Sequence, residues 1–187
     1  DKIFLKGLKE SSFPFRVIDF FPFGSDERQF SSPGFNLNVG SLMRTPYGQF
    51  DEYHTSGDNL DFIKSEFLQD SFEKYSKIVE FLEVENTIND KKTNNISNLF
   101  DHSTRSEIRY MSLNPKCEPQ LGKRGLYRMI GGQKEHDFDD VSIFWILCFS
   151  DGNFTLNEIS HRSGINFEKL KKTANLLCEK NLLKLVT

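Results

Sequence analysis

The sequence has no basic excess: 24 Lys and Arg stand against 27 Asp and Glu, a formal net charge of -3. A chain whose main business is nucleic acid carries a positive surplus, so this balance argues against that class. Cysteine is scarce, and Cys117, Cys148 and Cys178 share no zinc-knuckle or redox-pair spacing. An odd number of thiols in unrelated contexts points to a reducing cytoplasm without disulfides. Long apolar runs are missing as well. The nearest, Val141 to Phe149, is about half of what spans a bilayer, and the amino terminus lacks the basic-then-apolar order of a signal peptide. No membrane partner is expected. Histidine is sparse, four in all, and none precedes His54. What the chain does have is aromatic and apolar weight: 19 Phe, 13% aromatic and 37% hydrophobic residues in 187. Surface scaling for this mass buries about 70% of the unfolded area, enough for one ordinary core or two small ones.

The first segment, Asp1 to Lys9, carries Ile3, Phe4 and Leu8 at spacings that fit the tail of a helix. Phe15 to Phe23 reads as a buried strand and Val39 to Thr45 as a second, short one. From Ser56 or Asp58, either a competent cap, apolar residues recur at steps of three and four from Leu60 to Leu82, which predicts one long amphipathic helix. Residues 86–106, with Asn86, Asn89, Asn94, Asn95 and Asn98, read as a polar loop. Arg109 to Leu113 can form a strand, and Asn114 to Gly132 is irregular. Beyond it the pattern changes. Val141 to Phe149 is a short apolar helix, Asp151-Gly152-Asn153 a turn, and Thr155 to Glu158 a capping box opening a helix that stops at Gly164. Asn166 caps a further helix, and Leu182 to Val186 ends the chain as a strand. Three helices and a strand, with a tight turn between the second and third helices, follow the winged-helix plan, with its second wing strand expected to be missing or to lie outside this chain.

Three clusters could carry chemistry. Gly24 to Phe30 places Asp26, Glu27 and Arg28 directly after the expected first strand, at the edge of a sheet where ligands bind in open α/β folds; local pairing in a solvated turn is the alternative. His54 lies between a glycine-containing loop and the long helix, flanked by Asp51, Glu52 and Asp58. An imidazole so placed can ligate a metal through one nitrogen while a carboxylate holds the other, or serve as an ordinary surface residue. Lys123 and Arg124, between Gly122 and Gly125, could converge on an anion, or form a basic loop packed by Leu121, Leu126 and Tyr127.

Gly24 to Gln29, Ser32 to Leu37, Val39 to Pro46, Glu52 to Leu60 and Pro119 to Tyr127 together resemble a bacterial family of aminopeptidase-like proteins. That family carries a zinc-peptidase domain related to the co-catalytic di-zinc aminopeptidases, followed by a winged helix. The resemblance implies an α/β fold, the distal part of a zinc-aminopeptidase-like domain, over residues 1–132 and a small winged helix over 137–187. It also implies zinc as cofactor, His54 as the last zinc-ligating histidine, and Tyr53 as the group that polarises the substrate carbonyl or stabilises the tetrahedral intermediate. Glu27 stands where relatives often have His, so Asp26, Glu27, Arg28 and Asp58 are expected to line the pocket or support it rather than ligate. The early His, bridging Asp and paired Glu of such a hydrolase are missing before His54. The chain therefore resembles the carboxy-terminal part of a longer protein and is not expected to turn over by itself.

The implied reaction is hydrolysis of an amide near a free amino group, in a peptide or in another amide, since the family is associated with surface-polysaccharide gene clusters. Two other classes rest on the winged helix. DNA binding would use Lys169, Lys171 and Lys172, although six basic and six acidic residues between Asp139 and Thr187 leave no net charge. Assembly as a homo-oligomer, or with a partner subunit, would use Phe144, Trp145 and Phe149 were these exposed.

Overall fold

The computed structural model describes residues 2–9, 14–22, 26–37, 39–89, 108–127 and 139–186. Their contacts divide the chain into two units, one built on Asp1–Ile18 with Leu42–His102 and the other on Asp19–Ser41 with Ser103–Thr187. The described residues form a mixed helical structure with one small sheet, and three helices pack on that sheet at the carboxy-terminal end.

In the first unit, helix α1 (Lys2–Lys9) packs on helix α3 (Ser65–Asn89). The approach is close enough to need glycine: a Cβ at Gly7 would stand 2.8 Å from Ile78 Cγ1. Leu8 and Ile78 are buried there, and the Lys6 ammonium lies 4.3 Å from the centre of the Phe81 ring. The irregular segment before α3 is pinned by Arg44, whose guanidinium donates to the Phe67 carbonyl at 3.0 Å and to Ser71 Oγ at 3.2 Å. It also pairs with Asp70, as does the buried Lys74 one turn on. Burial pushes the Asp70 carboxyl upward, but the hydrogen bonds from Lys74 and Arg44 outweigh that and hold it below the ordinary carboxylate range.

The second unit holds the sheet. Strand β1 (Arg109–Ser112) lies in the middle of the antiparallel order β2-β1-β3, between β2 (Asp151–Thr155) and β3 (Leu183–Val186). Arg109 faces Thr155 on one side and Val186 on the other. Helices α4 (Asp140–Phe149), α5 (Leu156–Ser163) and α6 (Phe167–Glu179) close over it, with Ile143, Ile146, Ile159, Leu170, Ala174 and Leu177 fully buried. Each helix start is capped. Asp139 accepts from the Ser142 amide at 2.6 Å, Thr155 and Glu158 form a reciprocal capping box, and Asn166 Oδ1 accepts from the Glu168 and Lys169 amides. Gly164 ends α5 at φ 69°, a left-handed conformation that costs glycine nothing.

Several sequence expectations meet a different structure. The sheet crosses the expected division between 1–132 and 137–187, because β1 pairs with β3, so the partner strand expected to be missing or outside this chain lies within it. Asp151 to Asn153 lies within β2 rather than in a bare turn. Residues 14–21 and 39–45 form no strand. Their backbone has no partner strand among the described residues, and Phe15, Val17 and Ile18 are exposed, at 41%, 64% and 57%. An apolar run becomes a buried strand only where other strands satisfy its amides and a layer covers it. Phe23 lies outside the described residues. Helix α3 starts at Ser65, not at Ser56 or Asp58. Asn59 Oδ1 accepts from the Asp61 and Phe62 amides, and Thr55 Oγ1 from Gly57, so side chains hold residues 55–62 in turns that compete with helix. The same helix continues to Asn89, taking in the start of the expected polar loop; residues 90–106 lie outside the described part.

Candidate functional site

In the first unit, residues 46–62 form a run of turns that gathers an aromatic cluster. The Tyr53 ring lies 6.2 Å from Tyr47 and 5.5 Å from Phe50, and Phe50 stacks on Phe62 at 5.8 Å. Against this cluster the His54 imidazole stacks flat on Tyr53, centroids 4.0 Å apart at an interplanar angle of 16°. His54 is exposed and its backbone is left-handed, with φ 58°. That conformation is uncommon outside glycine and aims the ring differently from an extended residue. Asp58 is exposed in the turn that follows, its amide donating to the Thr55 carbonyl at 3.2 Å.

Asp26, Glu27 and Arg28 belong to the second unit, on the short helix α2 (Asp26–Phe30). Asp26 is exposed, while Glu27 accepts a hydrogen bond from the Ser41 hydroxyl. Arg28 turns towards the winged helix. Its guanidinium carbon lies 4.0 Å from the centre of the Phe144 ring on α4, and Nη2 is 2.9 Å from Glu118 Oε2. Around this pair the chain is tightly cross-linked. Gln29 Oε1 accepts from the Glu118 amide at 2.6 Å, Ser32 Oγ from the Cys117 amide at 2.9 Å, and the Pro115 carbonyl from the Gly34 amide at 2.7 Å. Glu118 also receives the Tyr127 hydroxyl, whose acidity is suppressed by burial and by that carboxylate until its pKa is pushed up to about 12. Beneath lies a small pocket reached by Arg28, Glu118, Phe144 and the Cys148 thiol, which burial pushes up to about 12.

The residues named from sequence therefore fall into two sets in different units. Tyr53, His54 and Asp58 share one loop, and Asp26, Glu27 and Arg28 share one helix turn. Lys123 and Arg124 sit in a single 3-10 turn, Gly122–Arg124, between the buried Leu121 and Leu126. The Arg124 guanidinium donates to the Gln120 carbonyl at 3.1 Å and Lys123 is exposed. The sequence singles out neither Gln29 nor Glu118, and Tyr127 only as packing for the basic loop. Glu118 is 90 positions from Arg28, and single-sequence spacing carries no signal for so distant a pair. Phe144 and Trp145, the suggested assembly surface, are 5% and 4% exposed. Phe20 and Phe21 meet Trp145 edge-on at 6.2 and 6.1 Å, and Phe20 meets Phe149 at 6.0 Å, so the chain itself covers that face.

Among the described residues no three His, Cys, Asp or Glu side chains converge as a metal-binding group. The residues present do not by themselves fit zinc, since a catalytic zinc takes about three protein ligands and His54 is one. No helix among them is long and apolar enough to cross a membrane.

Comparison with known proteins adds two family matches. Residues 108–185 match a winged helix-turn-helix family, and these are the residues that build the β2-β1-β3 sheet and helices α4–α6. The carboxy-terminal part of the chain is a winged helix-turn-helix domain. Residues 1–85 match a domain of unknown function, DUF4910. A Clostridium acetobutylicum relative, named as a polysaccharide biosynthesis protein with aminopeptidase-like domain, is 49% identical over 186 residues. That alignment takes in 100% of this chain, which spans 38% of the relative's length. A crystal structure from the same organism, named as that of a peptidase, is 43% identical, with a TM-score of 0.41, and covers 100% of this chain and 36% of its own.

Proposed function

We propose that this chain is the distal part of a longer cytoplasmic, zinc-dependent aminopeptidase-like hydrolase that acts on an amide near a free amino group. The observation that carries the reading is the presentation of His54: an exposed imidazole, held in a left-handed backbone and stacked on Tyr53. Strained backbone at an exposed polar residue is a frequent mark of function. The name of the 49% identical relative, with its aminopeptidase-like domain, supports the same reading.

The contribution of this chain's own residues is limited and definite. The Tyr53 hydroxyl is a hydrogen-bond donor for a developing oxyanion, and the Phe50 and Tyr47 rings fix the tyrosine that carries it. His54 is one prospective metal ligand, and no other described residues complete a metal-binding set with it. The winged helix, whose α4 face meets Phe20, Phe21 and Arg28, holds the segment bearing Asp26 and Glu27 rather than reading DNA. The test is metal analysis and hydrolysis of aminoacyl amides by the full-length protein and by its His54→Ala variant. Zinc and turnover should fall together in the variant; unchanged zinc and turnover would make His54 structural.

A further inference from the structure

The loop that presents Tyr53 and His54 is tied to helix α3 at both of its ends. At the far end it runs straight into the helix, where the Phe67 and Leu68 amides donate to the Lys64 carbonyl at 3.1 and 3.2 Å. At the near end the tie is a side chain. Arg44 spreads its guanidinium over one turn of α3: Nη2 donates to the Phe67 carbonyl at 3.0 Å and to the Asp70 carboxylate, and Nε donates to Ser71 Oγ at 3.2 Å. Its guanidinium carbon lies 5.2 Å from the centre of the Phe67 ring. A fork on three acceptors fixes direction as well as position, which the point charge of a lysine does not. Beside it the Tyr75 hydroxyl donates to the Leu42 carbonyl at 3.3 Å.

Between these ties the loop is held by its own rings. Phe50 stacks on Phe62 and meets Tyr53 edge-on, and Tyr53 carries the His54 imidazole. The exposed Arg16 adds a bond to Gln49 Oε1 at 3.3 Å. A loop packed by its own side chains moves as one body, so a shift at its base reaches Tyr53 and His54 together.

We infer that Arg44 is a positioning residue for Tyr53 and His54: by closing the base of residues 45–64 on α3, it sets where the phenol hydroxyl and the imidazole are presented. The inference rests on the reading of those two residues as functional. Arg44 acts through the loop, not at the reacting atoms.

The test is Arg44→Gln in the full-length protein. Lys74 still pairs Asp70 in that variant, so the carboxylate keeps a cation and α3 keeps its packing on α1. Nuclear magnetic resonance of labelled histidine, in protein stripped of metal, reads the shielding of the His54 ring by Tyr53. Arg44→Gln should reduce that shielding, with hydrogen exchange faster over residues 46–62 and unchanged over α1 and α3. In protein that hydrolyses aminoacyl amides, kcat should fall about ten- to a hundredfold while KM stays within about twofold. Arg44→Lys, which keeps the charge without the fork, should recover less than half of the loss. An unchanged His54 resonance, or unchanged kcat in active protein, overturns the inference. Full recovery by Arg44→Lys overturns it as well, by assigning the effect to charge alone, and so does equal loosening of α1 and α3, which would make Arg44 a general packing residue. Should the unaltered protein hydrolyse no aminoacyl amide, the enzymatic reading falls, and the histidine spectrum still decides the role of Arg44.

Discussion

Arg28 on α2 and Glu118 in the strap after β1 form an ion pair at 2.9 Å, with side chains only 16% and 10% exposed. The contact is electrostatic rather than an aligned hydrogen bond, since Glu118 Oε2 and Arg28 Nε have no hydrogen-bond partner. A half-paired charge so poorly hydrated is expensive. Arg28→Met, which keeps bulk over Phe144, should therefore destabilise the second unit by about 3 kcal/mol. The single tryptophan, Trp145, lies in that unit and reports its urea unfolding. Reversing both charges, Arg28→Glu with Glu118→Arg, should recover part of the loss. An unchanged midpoint in Arg28→Met would show that the pair contributes nothing.

Tyr127 couples the same carboxylate to alkaline pH. Its folded pKa is raised from 10.0 to about 12, first by burial and then by the hydrogen bond and charge of Glu118. A raised pKa means that the folded state holds the proton more tightly, so the stabilisation is complete below pH 10 and fades as pH rises through about 12. Absorbance titration should show a late-ionising phenol that disappears in Tyr127→Phe, and the variant should lose less stability over this window. Tyr110, whose pKa is also raised by burial, remains in both proteins as an internal reference. A Tyr127→Phe titration curve that differs only by the loss of one ordinary phenol would contradict this account.

Local chemistry gives a separate prediction for the winged helix. Thr155 is buried, its Oγ1 accepts from the Glu158 amide at 3.1 Å, and the Glu158 carboxylate accepts from the Thr155 amide at 2.7 Å. Thr155→Ala removes one half of this box and should cost about 1 kcal/mol, whereas Thr155→Ser keeps the hydroxyl and most of the stability. Trp145 fluorescence during denaturation distinguishes the two. Equal losses in both variants would mean that the methyl group, not the cap, matters.

The capping box was readable because its partners lie three residues apart, and so were the Gly164 stop and the Asn166 start. Each depends on chain-local geometry that a sequence carries openly. Phe15 to Ile18 departs from the strand its pattern suggests for the opposite reason. The apolar pattern was real, but its covering layer and partner strands are not among the described residues. The late start of α3 turned on a competition between Asn59 side-chain hydrogen bonds and helix, which periodicity alone does not weigh. In the candidate site, Tyr53 and His54 were visible as neighbours, whereas their stacking and the left-handed backbone were not. The Arg28–Glu118 pair was hidden by sequence separation, and with it the role of α2 as an anchor to α4.

Helix α6 would be the reading helix of a DNA-binding winged helix, and its candidate contacts are Lys169, Lys171 and Lys172. Lys169 is already engaged, its ammonium paired with Asp139, the residue that caps α4. Burial raises the Asp139 carboxyl, but the bond from Lys169 and those from Ser142 outweigh it and hold its pKa below the usual range, so the carboxylate is charged at neutral pH. Glu168 is exposed at the front of the same helix. Binding to duplex draws most of its free energy from releasing counterions at several phosphates, and here one cation is neutralised while an anion faces outward. Fluorescence anisotropy with mixed-sequence duplex should therefore show no tight complex at physiological salt and only a shallow salt dependence below it. Tight binding with a steep salt slope would require α6 to shed the Asp139 contact, and would return the winged helix to the DNA-reading class.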